Sequence, residues 1–388
     1  IHPVTEVVKR RIWEPYALYK RFIGMRSDDR INAGFLSENE KSEQKEGISV
    51  WIRGNFFIPD ARKFWIKPSV RFLRKYLREN PVDAIISTGP PHSMHLIALK
   101  VKKEFNIPWI ADFRDPWTEI DFYDQLRLTR RSDLKHKSQE KEVLHGADRV
   151  VVIGKTMAER FASTHTINPV VIPNGFDEAD FLNQSASSSE KLPYTDGKFS
   201  IIHVGAMNRD RNHPAFWEAI SELVEEQPEH MSNLVIKLVG KLDVSVHQTI
   251  ARHGLQDRVE IDAYLPHHQI IPLLQSASVL YLPINNTPNA KSIQTGKIFE
   301  YLASGQPILG TGPEDGDAAE ILKECQAGKM VDFNDKIGIK SILTEWAESE
   351  KKGMLISKHA GMDKYSRRNL TSSFSELLEE VTRDRNDP

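Results

Sequence analysis

The sequence alternates between short apolar runs and amphipathic segments, and this alternation starts twice along the chain. From Val82 it predicts a strand over 82–88, a helix over 94–105 and a strand over 108–113. From Phe199 it starts again, with strands over 199–204 and 234–239 around a helix over 213–226. Strands separated by helices form parallel sheets with right-handed crossovers. The pattern therefore predicts an α/β protein, with ligands at the carboxyl ends of its strands.

The length of the chain and a polar segment near its middle indicate two domains. A chain of 388 residues suits two domains better than one. Residues 181–198 are rich in Ser and Lys and poor in apolar residues, which is typical of a linker. We expect a Rossmann-like domain over 1–180, a second one over 199–365, and a C-terminal helix and tail over 366–388.

The composition excludes several classes of protein. The 52 Lys and Arg residues nearly balance the 54 Asp and Glu residues, so nothing indicates a partner that is nucleic acid. The single cysteine, Cys325, excludes a disulfide framework and a cysteine-based metal site, and it fits a reducing compartment. No apolar run reaches the roughly 18 residues that span a bilayer. We expect a cytoplasmic protein.

The segment over 51–80 combines positive charge with aromatic residues. It holds eight Lys or Arg residues against two acidic ones. Such a segment is typical of a surface that rests on an anionic membrane, here the inner face of the cell membrane. The alternative is that the aromatic residues belong to the core and the cations form a solvated face. Both interpretations stay open at this point.

The stretch TGKIFEYLASGQPIL, residues 295–309, predicts a helix at the carboxyl end of a strand over 278–284. Gly305 and Pro307 end the helix. Its N-terminus offers unpaired N–H groups to a phosphate, and Lys297 adds a positive charge on the first turn. Glu300, one turn later, can accept hydrogen bonds from a ribose. A solvated first turn has the same residue types, so the residues alone leave both interpretations open.

This stretch resembles the nucleotide-sugar-binding element of the family 4 (group 1) retaining glycosyltransferases. VIPNGFD at 171–177, HVGAMNRDRN at 203–212 and AYLPHHQ at 263–269 extend the resemblance. It implies the GT-B fold, with two Rossmann-like domains facing each other across a cleft and a helical C-terminal tail. It also implies a hexosyltransferase without cofactor or metal, which moves a hexose from a UDP- or GDP-sugar donor to a cell-envelope glycan or lipid-linked acceptor with retention.

The resemblance implies the residues of the donor site. Backbone amides before Glu300 hold the diphosphate and Glu300 holds the ribose. The loop after the strand over 199–204 contacts the phosphates, and the segment over 263–266 contacts the base. Ser292 stands where many members have a second Glu, so the group that reads the sugar is not identified. The predicted substrate-binding residues are Gly205, Arg209, Arg211, Tyr264, Leu265, Thr295, Gly296, Lys297 and Glu300.

In the first half, the candidate catalytic residues are Arg114, Asp115 and His92. Arg114 stands where the family usually has a His, and it can hydrogen-bond the donor sugar. Asp115 can orient that arginine or the acceptor, and His92 lies in a strand-exit loop. The structural alternatives are an Asp112–Arg114 pair at the end of the strand, and a capping or packing role for His92.

Two departures keep other functions open. The family begins with a strand and a glycine-rich loop, and nothing similar precedes Val82. We therefore expect a first domain that is truncated at its start. The alternatives to a transferase are a nucleotide-sugar epimerase of the same architecture and a non-catalytic nucleotide-sugar-binding fragment. A transferase consumes an acceptor and releases nucleoside diphosphate, so product analysis separates them.

Overall fold

A computed structural model describes residues 50–121, 123–182, 197–229, 231–355 and 359–383. These residues form two compact units, one over 50–151 with 380–383 and the other over 152–379. The expected truncation concerns the start of the chain, and residues 1–49 lie outside the described ranges. Most of the predicted linker, residues 183–196, also lies outside them.

The first unit alternates helices and strands. β1 pairs with β2 in parallel, from Ile85 opposite Trp109 to Gly89 opposite Phe113. Every residue of β2 is buried, as expected for a strand covered on both faces. The elements are α1 (Ile66–Glu79), β1 (Ile85–Gly89), α2 (Ser93–Phe105), β2 (Trp109–Phe113), α3 (Arg130–Gly146) and β3 (Arg149–Val152). The boundary between the two units falls at the end of β3.

The starts of β1 and α2 differ from the sequence-based predictions, and the end of β1 and the start of β2 each differ by one residue. β1 starts at Ile85 rather than at residue 82, because pairing with β2 begins there and the Val82 side chain remains exposed. α2 starts one residue before the predicted Met94. The Asp60 carboxylate accepts hydrogen bonds from the Ser93 backbone N, at 2.8 Å, and from its Oγ, at 2.5 Å. A carboxylate from a distant loop thus fixes the start of the helix.

The second unit contains a central sheet of six strands in the order β10-β9-β8-β5-β6-β7. The elements are α4 (Lys155–His165), β4 (Val170–Val171), α5 (Glu178–Leu182), β5 (Phe199–Val204), α6 (Pro214–Glu226), β6 (Leu234–Val239), α7 (Val244–Arg252), β7 (Val259–Asp262), α8 (His267–Gln275), β8 (Val279–Pro283), α9 (Gly296–Ser304), β9 (Ile308–Thr311), α10 (Asp317–Glu324), β10 (Gly328–Val331), α11 (Lys336–Lys351) and α12 (Arg367–Arg383).

Hydrophobic cores cover both faces of the six-stranded sheet. Ile201 of β5 belongs to a core that includes α6 and α11, and its neighbour Ile202 belongs to one that includes α8, α9 and α10. In the first core, the Phe216 ring stacks on the Tyr281 ring with centroids 3.9 Å apart. Successive residues of a strand point to opposite faces, so a strand buried on both faces is apolar throughout. The predicted parallel α/β fold with a helical C-terminal end is confirmed.

Candidate functional site

The loops after β5 and β6 meet through two glycines. The Gly205 backbone N donates to the Val239 carbonyl at 2.7 Å. Gly240 adopts φ +133°, and a Cβ on it would lie only 2.3 Å from the Gly205 carbonyl oxygen. Gly205 itself has φ +146°, a conformation that side chains disfavour. The carboxyl edge of the sheet is therefore bare backbone at this point, which lets a ligand approach closely.

The first turn of α9 lies beside this bare backbone. A Cβ on Gly205 would lie 3.7 Å from Lys297 Cε. Lys297 Nζ lies 3.1 Å from Glu300 Oε2, and both side chains are about one-third exposed. Among the described residues, nothing lies within 4 Å of the position of a Cβ on Gly296. The structure thus brings together Gly205, Gly296, Lys297 and Glu300, with open space at the start of the helix.

Thr295 occupies the N-cap position of α9, but its side chain does not cap the helix. Its Oγ1 is buried and has no hydrogen-bond partner within the described ranges. The first N–H groups of a helix carry partial positive charge and need partners from outside the helix. The start of α9 therefore offers N–H donors that suit an anion, and the predicted binding of a phosphate there stays a prediction.

Of the two predicted phosphate-binding arginines, Arg211 is part of the scaffold. Its Nε donates to Asn285 Oδ1 at 2.6 Å and its Nη1 donates to the Ala206 carbonyl at 2.9 Å. These bonds join the loop after β5 to the loop after β8. Arg209, in the same short turn, is exposed. Arg211 supplies a fixed positive charge, and Arg209 is the arginine that a ligand can reach from solvent.

His203 is a buried polar residue at this edge that the sequence analysis did not assign. Its Nδ1 lies 3.0 Å from the Tyr281 carbonyl oxygen. Burial first, and then the charges of Arg211 and Lys297, lower the pKa of His203 to about 4. A polar residue inside an apolar strand, two positions before a glycine, was the signal available in the sequence.

A series of buried hydrogen bonds supports the loop after β5. His213 Nε2 donates to the Asp210 carbonyl at 3.1 Å, and its Nδ1 lies 2.7 Å from Thr311 Oγ1. Thr311 Oγ1 lies 3.0 Å from Tyr281 Oη. Because the Asp210 carbonyl can only accept, Nδ1 accepts from Thr311, which in turn accepts from Tyr281. Burial is the main cause that lowers the pKa of His213 to about 4. The hydrogen-bonded side chains of this series are therefore uncharged at neutral pH.

The predicted base-binding residues follow β7. Tyr264 has 79% of its surface exposed, whereas Leu265 is partly buried against the core that includes α8, α9 and α10. An exposed aromatic ring offers a stacking surface to a planar base. Ser292 donates from its Oγ to the Asn289 carbonyl at 2.8 Å and thereby closes a short turn. Ser292, which the resemblance aligns with a second Glu of many family members, thus has a structural partner of its own.

In the first unit, Arg114 forms the ion pair that the sequence analysis left open. Its Nε lies 2.9 Å from Asp112 Oδ2, and Asp112 is only 4% exposed. Thr88 Oγ1 donates to the same carboxylate oxygen at 3.1 Å. The pair fixes the guanidinium at the carboxyl ends of β1 and β2. An arginine fixed in this way can serve the structure alone or can also donate to a sugar hydroxyl. The catalytic role of Arg114 therefore stays a prediction.

Asp115 follows Arg114 on the loop after β2. The protein atoms packed around its carboxyl group, and the nearby Asp121, raise its pKa to about 6, although the residue is more than one-third exposed. A carboxyl group with such a pKa exchanges protons near neutral pH, which suits a site residue. Its predicted catalytic role is compatible with this position.

His92 is buried and flat against an aromatic ring. Its imidazole stacks on Trp117 with centroids 4.7 Å apart and an interplanar angle of 4°. Burial first, and then His136, lower the pKa of His92 to about 3. At neutral pH the ring is therefore uncharged, and it can act by hydrogen bonding rather than as an acid. Its Nδ1 is buried, without a partner in the part of the chain that the structure describes.

The described residues bear on metal binding and on membrane insertion. In these residues, no three His, Cys, Asp or Glu side chains are placed to hold a metal ion. Within the same ranges, no helix combines the length and apolar character that a membrane span requires. The expectation of transfer without a metal stays a prediction.

Comparisons with known sequences give two adjoining matches. The family described as Glycosyltransferase Family 4 matches residues 34–180. The family described as Glycosyl transferases group 1 matches residues 184–368. Together the two matches span most of the chain. No curated protein matches it in sequence.

Comparisons with solved structures show the same fold in distant proteins. The N-terminal domain of a Candida albicans trehalose-6-phosphate phosphatase matches with a TM-score of 0.62 and 16% identity over 89% of this chain and 83% of that one. A UDP-forming α,α-trehalose-phosphate synthase from Burkholderia vietnamiensis matches with a TM-score of 0.60 and 10% identity, over 87% of this chain and 83% of that one. Sucrose-phosphate synthase from Thermosynechococcus elongatus matches with a TM-score of 0.59 and 14% identity, over 82% of this chain and 79% of that one. At such identities the likeness shows the fold alone.

Proposed function

Because the chain belongs to the glycosyltransferases, with a family 4 domain followed by a group 1 domain, we propose that it transfers a hexose from a UDP- or GDP-sugar. The proposed acceptor is a cell-envelope glycan or a lipid-linked sugar. The proposed reaction retains the configuration of the anomeric carbon and needs no metal. These finer points rest on the resemblance of the sequence motifs, and the contacts of the second unit support the choice of donor class.

One observation carries the proposal. Gly205, Lys297 and Glu300 meet at the carboxyl edge of a parallel sheet, beside the first turn of α9. The diphosphate of a nucleotide sugar carries about two negative charges, and its departure is eased by fixed cations and N–H dipoles. Lys297, the helix N-terminus and the nearby Arg211 provide these groups.

The Lys297–Glu300 pair gives the donor site a defined way to change on binding. In the free protein each side chain is the partner of the other, with Nζ 3.1 Å from Oε2. A bound donor offers a phosphate to Lys297 and ribose hydroxyls to Glu300, so both residues exchange one charged partner for another. The exposed Tyr264 ring is the proposed platform for the base.

The proposed acceptor-side groups belong to the first unit. Arg114, fixed by Asp112, is the proposed donor of a hydrogen bond to a sugar hydroxyl, and Asp115, with its pKa of about 6, is the proposed acceptor from an acceptor hydroxyl in its ionised form. His92 is uncharged at neutral pH and would contribute a hydrogen bond. The donor's own phosphate takes the acceptor proton in this mechanism, so no residue is assigned as the general base.

A calorimetric titration with UDP, GDP, ADP and the corresponding sugars tests the donor class. We expect one nucleotide to bind more tightly than the others, with equal affinity in Mg²⁺ and in EDTA. Binding of none of them would contradict the donor class, and binding only with Mg²⁺ would contradict metal independence. Incubation of the preferred donor with extracted lipid-linked glycans should release nucleoside diphosphate. Conversion of the donor into another nucleotide sugar would instead identify an epimerase.

We also propose that the first unit contacts an anionic membrane at the cytoplasmic face. Lys67, Arg71 and Lys75 are exposed on α1 at four-residue spacing, which places them along one side of the helix. Phe56 and Phe64 are exposed nearby in the chain, by 60% and 42%. A different side of α1 packs inward through Val70 and Leu77. Exposed cations and aromatic rings suit an interface with anionic lipid.

Sedimentation with lipid vesicles tests this contact. We expect the protein to sediment with vesicles that contain one-third phosphatidylglycerol and not with pure phosphatidylcholine. Charge reversal at Lys67, Arg71 and Lys75 should abolish sedimentation. Reversal of the exposed Lys329, which lies in the second unit, should not. Equal sedimentation of both variants would contradict the assignment of the contact to α1.

A further inference from the structure

The tautomer of His203 follows from its hydrogen bond to the Tyr281 carbonyl. A backbone carbonyl can only accept, so Nδ1 must donate its proton to the Tyr281 oxygen, 3.0 Å away. In the neutral ring, Nε2 then carries a lone pair. The side chain is 3% exposed, and Nε2 has no hydrogen-bond partner among the described residues. Most buried polar atoms in folded proteins are paired, so this atom calls for an explanation.

The unpaired nitrogen lies at the donor site. A Cβ on Gly205 would lie 3.6 Å from His203 Nε2 and 3.7 Å from Lys297 Cε. The ring and the lysine stem thus border the same small space, which Gly205 leaves empty of a side chain. The Gly205 carbonyl lies close enough to stabilise a protonated His203 ring. In the free protein it is not aligned for a hydrogen bond to Nε2.

The surroundings of the ring are cationic. The turn after β5 contributes Arg211, α9 contributes Lys297 with its partner Glu300, and β8 contributes the buried phenol of Tyr281. On β6, the residue opposite His203 is the apolar Leu238. Burial and the two cations oppose protonation, so the free protein holds the ring neutral at physiological pH.

We propose that His203 is a positioning residue for the donor diphosphate and takes up one proton from solvent when the diphosphate binds beside Gly205. The inference rests on the proposed function. Two negative charges at this place offset Lys297 and Arg211, which are the groups that oppose a charged ring. The protonated Nε2 then donates to the Gly205 carbonyl and holds the loop after β5 against the phosphates.

Titration calorimetry in two buffers of different ionisation enthalpy measures the proton directly. UDP-glucose and GDP-mannose serve as probes, because their diphosphates have no ionisation between pH 6 and 8. We expect uptake of up to one proton per donor bound, and a Kd that is between twofold and tenfold lower at pH 6 than at pH 8. Long-range ¹H–¹⁵N spectra of the wild-type protein should show protonation of the His203 Nε2 on donor binding.

His203→Asn is the test variant, because its amide can donate to the Tyr281 carbonyl but cannot titrate. We expect its proton uptake to vanish and its Kd to lose the fall between pH 8 and pH 6 that the wild type shows. His247→Asn, at an exposed histidine of α7, should keep the wild-type uptake. Donor binding without uptake in the wild type, or equal uptake in His203→Asn, would overturn the inference and leave the proposed function standing. Binding of neither probe would overturn both.

Discussion

Lys297 and Glu300 are each other's charged partner in the free protein, with Nζ 3.1 Å from Oε2 across one turn of α9. About one-third of each side chain is exposed, so solvent screens the pair and its net contribution to stability is about 0–1 kcal/mol. A pair that weak opens readily. It holds the two side chains at the helix N-terminus without preventing either from binding a ligand.

Replacing Glu300 should therefore affect binding rather than folding. We expect Glu300→Ala to weaken binding of the preferred nucleotide by about 1–3 kcal/mol, because a charged hydrogen-bond partner of the ribose is lost. The matched control is Glu345→Ala, which removes a similar pair with Lys329, of 3.0 Å, elsewhere in the unit. Titration calorimetry compares the two. An unchanged affinity in Glu300→Ala would remove this residue from the site.

The contact between the two loop glycines gives a prediction on stability. In Gly240→Ala the new Cβ would lie 2.3 Å from the Gly205 carbonyl oxygen, at φ +133°. We expect a loss of about 1–3 kcal/mol from backbone strain, together with weaker donor binding, since the Gly205 loop must move. Gly254→Ala is the control, because Gly254 has φ +65° but open space around it among the described residues. Urea unfolding should show a smaller loss for the control and no change in its donor affinity.

Local patterns predicted the elements of the second unit well. β5 and β6 begin and end where their apolar runs do, and α6 ends at residue 226 as predicted. The glycines, Lys297 and Glu300 were identified as site candidates because they fall in a recognisable motif. Each motif is a short continuous stretch of the sequence, so no knowledge of the packing was needed to recognise it.

The features that a single sequence does not reveal depend on distant contacts. Arg211 is held by Asn285, 74 positions away in the chain, so its spacing gives no sign that it is a scaffold residue. The start of α2 is fixed by Asp60, 33 positions away from Ser93. The neutral state of His203 follows from burial and from cations on two other segments. Such charge states and partners are set by tertiary packing.

The hydroxyl of Thr311 joins His213 to Tyr281, and its removal should be costly. Thr311→Val leaves His213 Nδ1 and Tyr281 Oη without their partner in a fully buried place. We expect a loss of roughly 1–3 kcal/mol for each polar group left unpaired. Thr311→Ser keeps the hydroxyl and loses one methyl group, for about 1 kcal/mol. Equal unfolding free energies for the two variants would contradict this series of hydrogen bonds.

Asp115 gives a prediction on pH. Its pKa is raised from 3.8 in the unfolded chain to about 6 in the folded protein, so the folded state holds the extra proton between these values. The resulting stabilisation is present below pH 3.8 and is lost as the pH rises through 6. Asp115→Asn should therefore be more stable than wild type at pH 8, by about 1 kcal/mol once solvent screening is allowed for. The advantage should disappear at pH 4.

Urea unfolding at pH 4, 6 and 8 measures this difference between Asp115→Asn and wild type. Asp121→Asn removes the nearby carboxylate that adds to the shift, so it should give part of the same gain at pH 8. Asp257→Asn, at an exposed position of the second unit, should show no such dependence on pH. A gain in Asp115→Asn that is equal at pH 4 and pH 8 would mean that the amide stabilises the loop through a new hydrogen bond, and that the raised pKa of Asp115 is wrong.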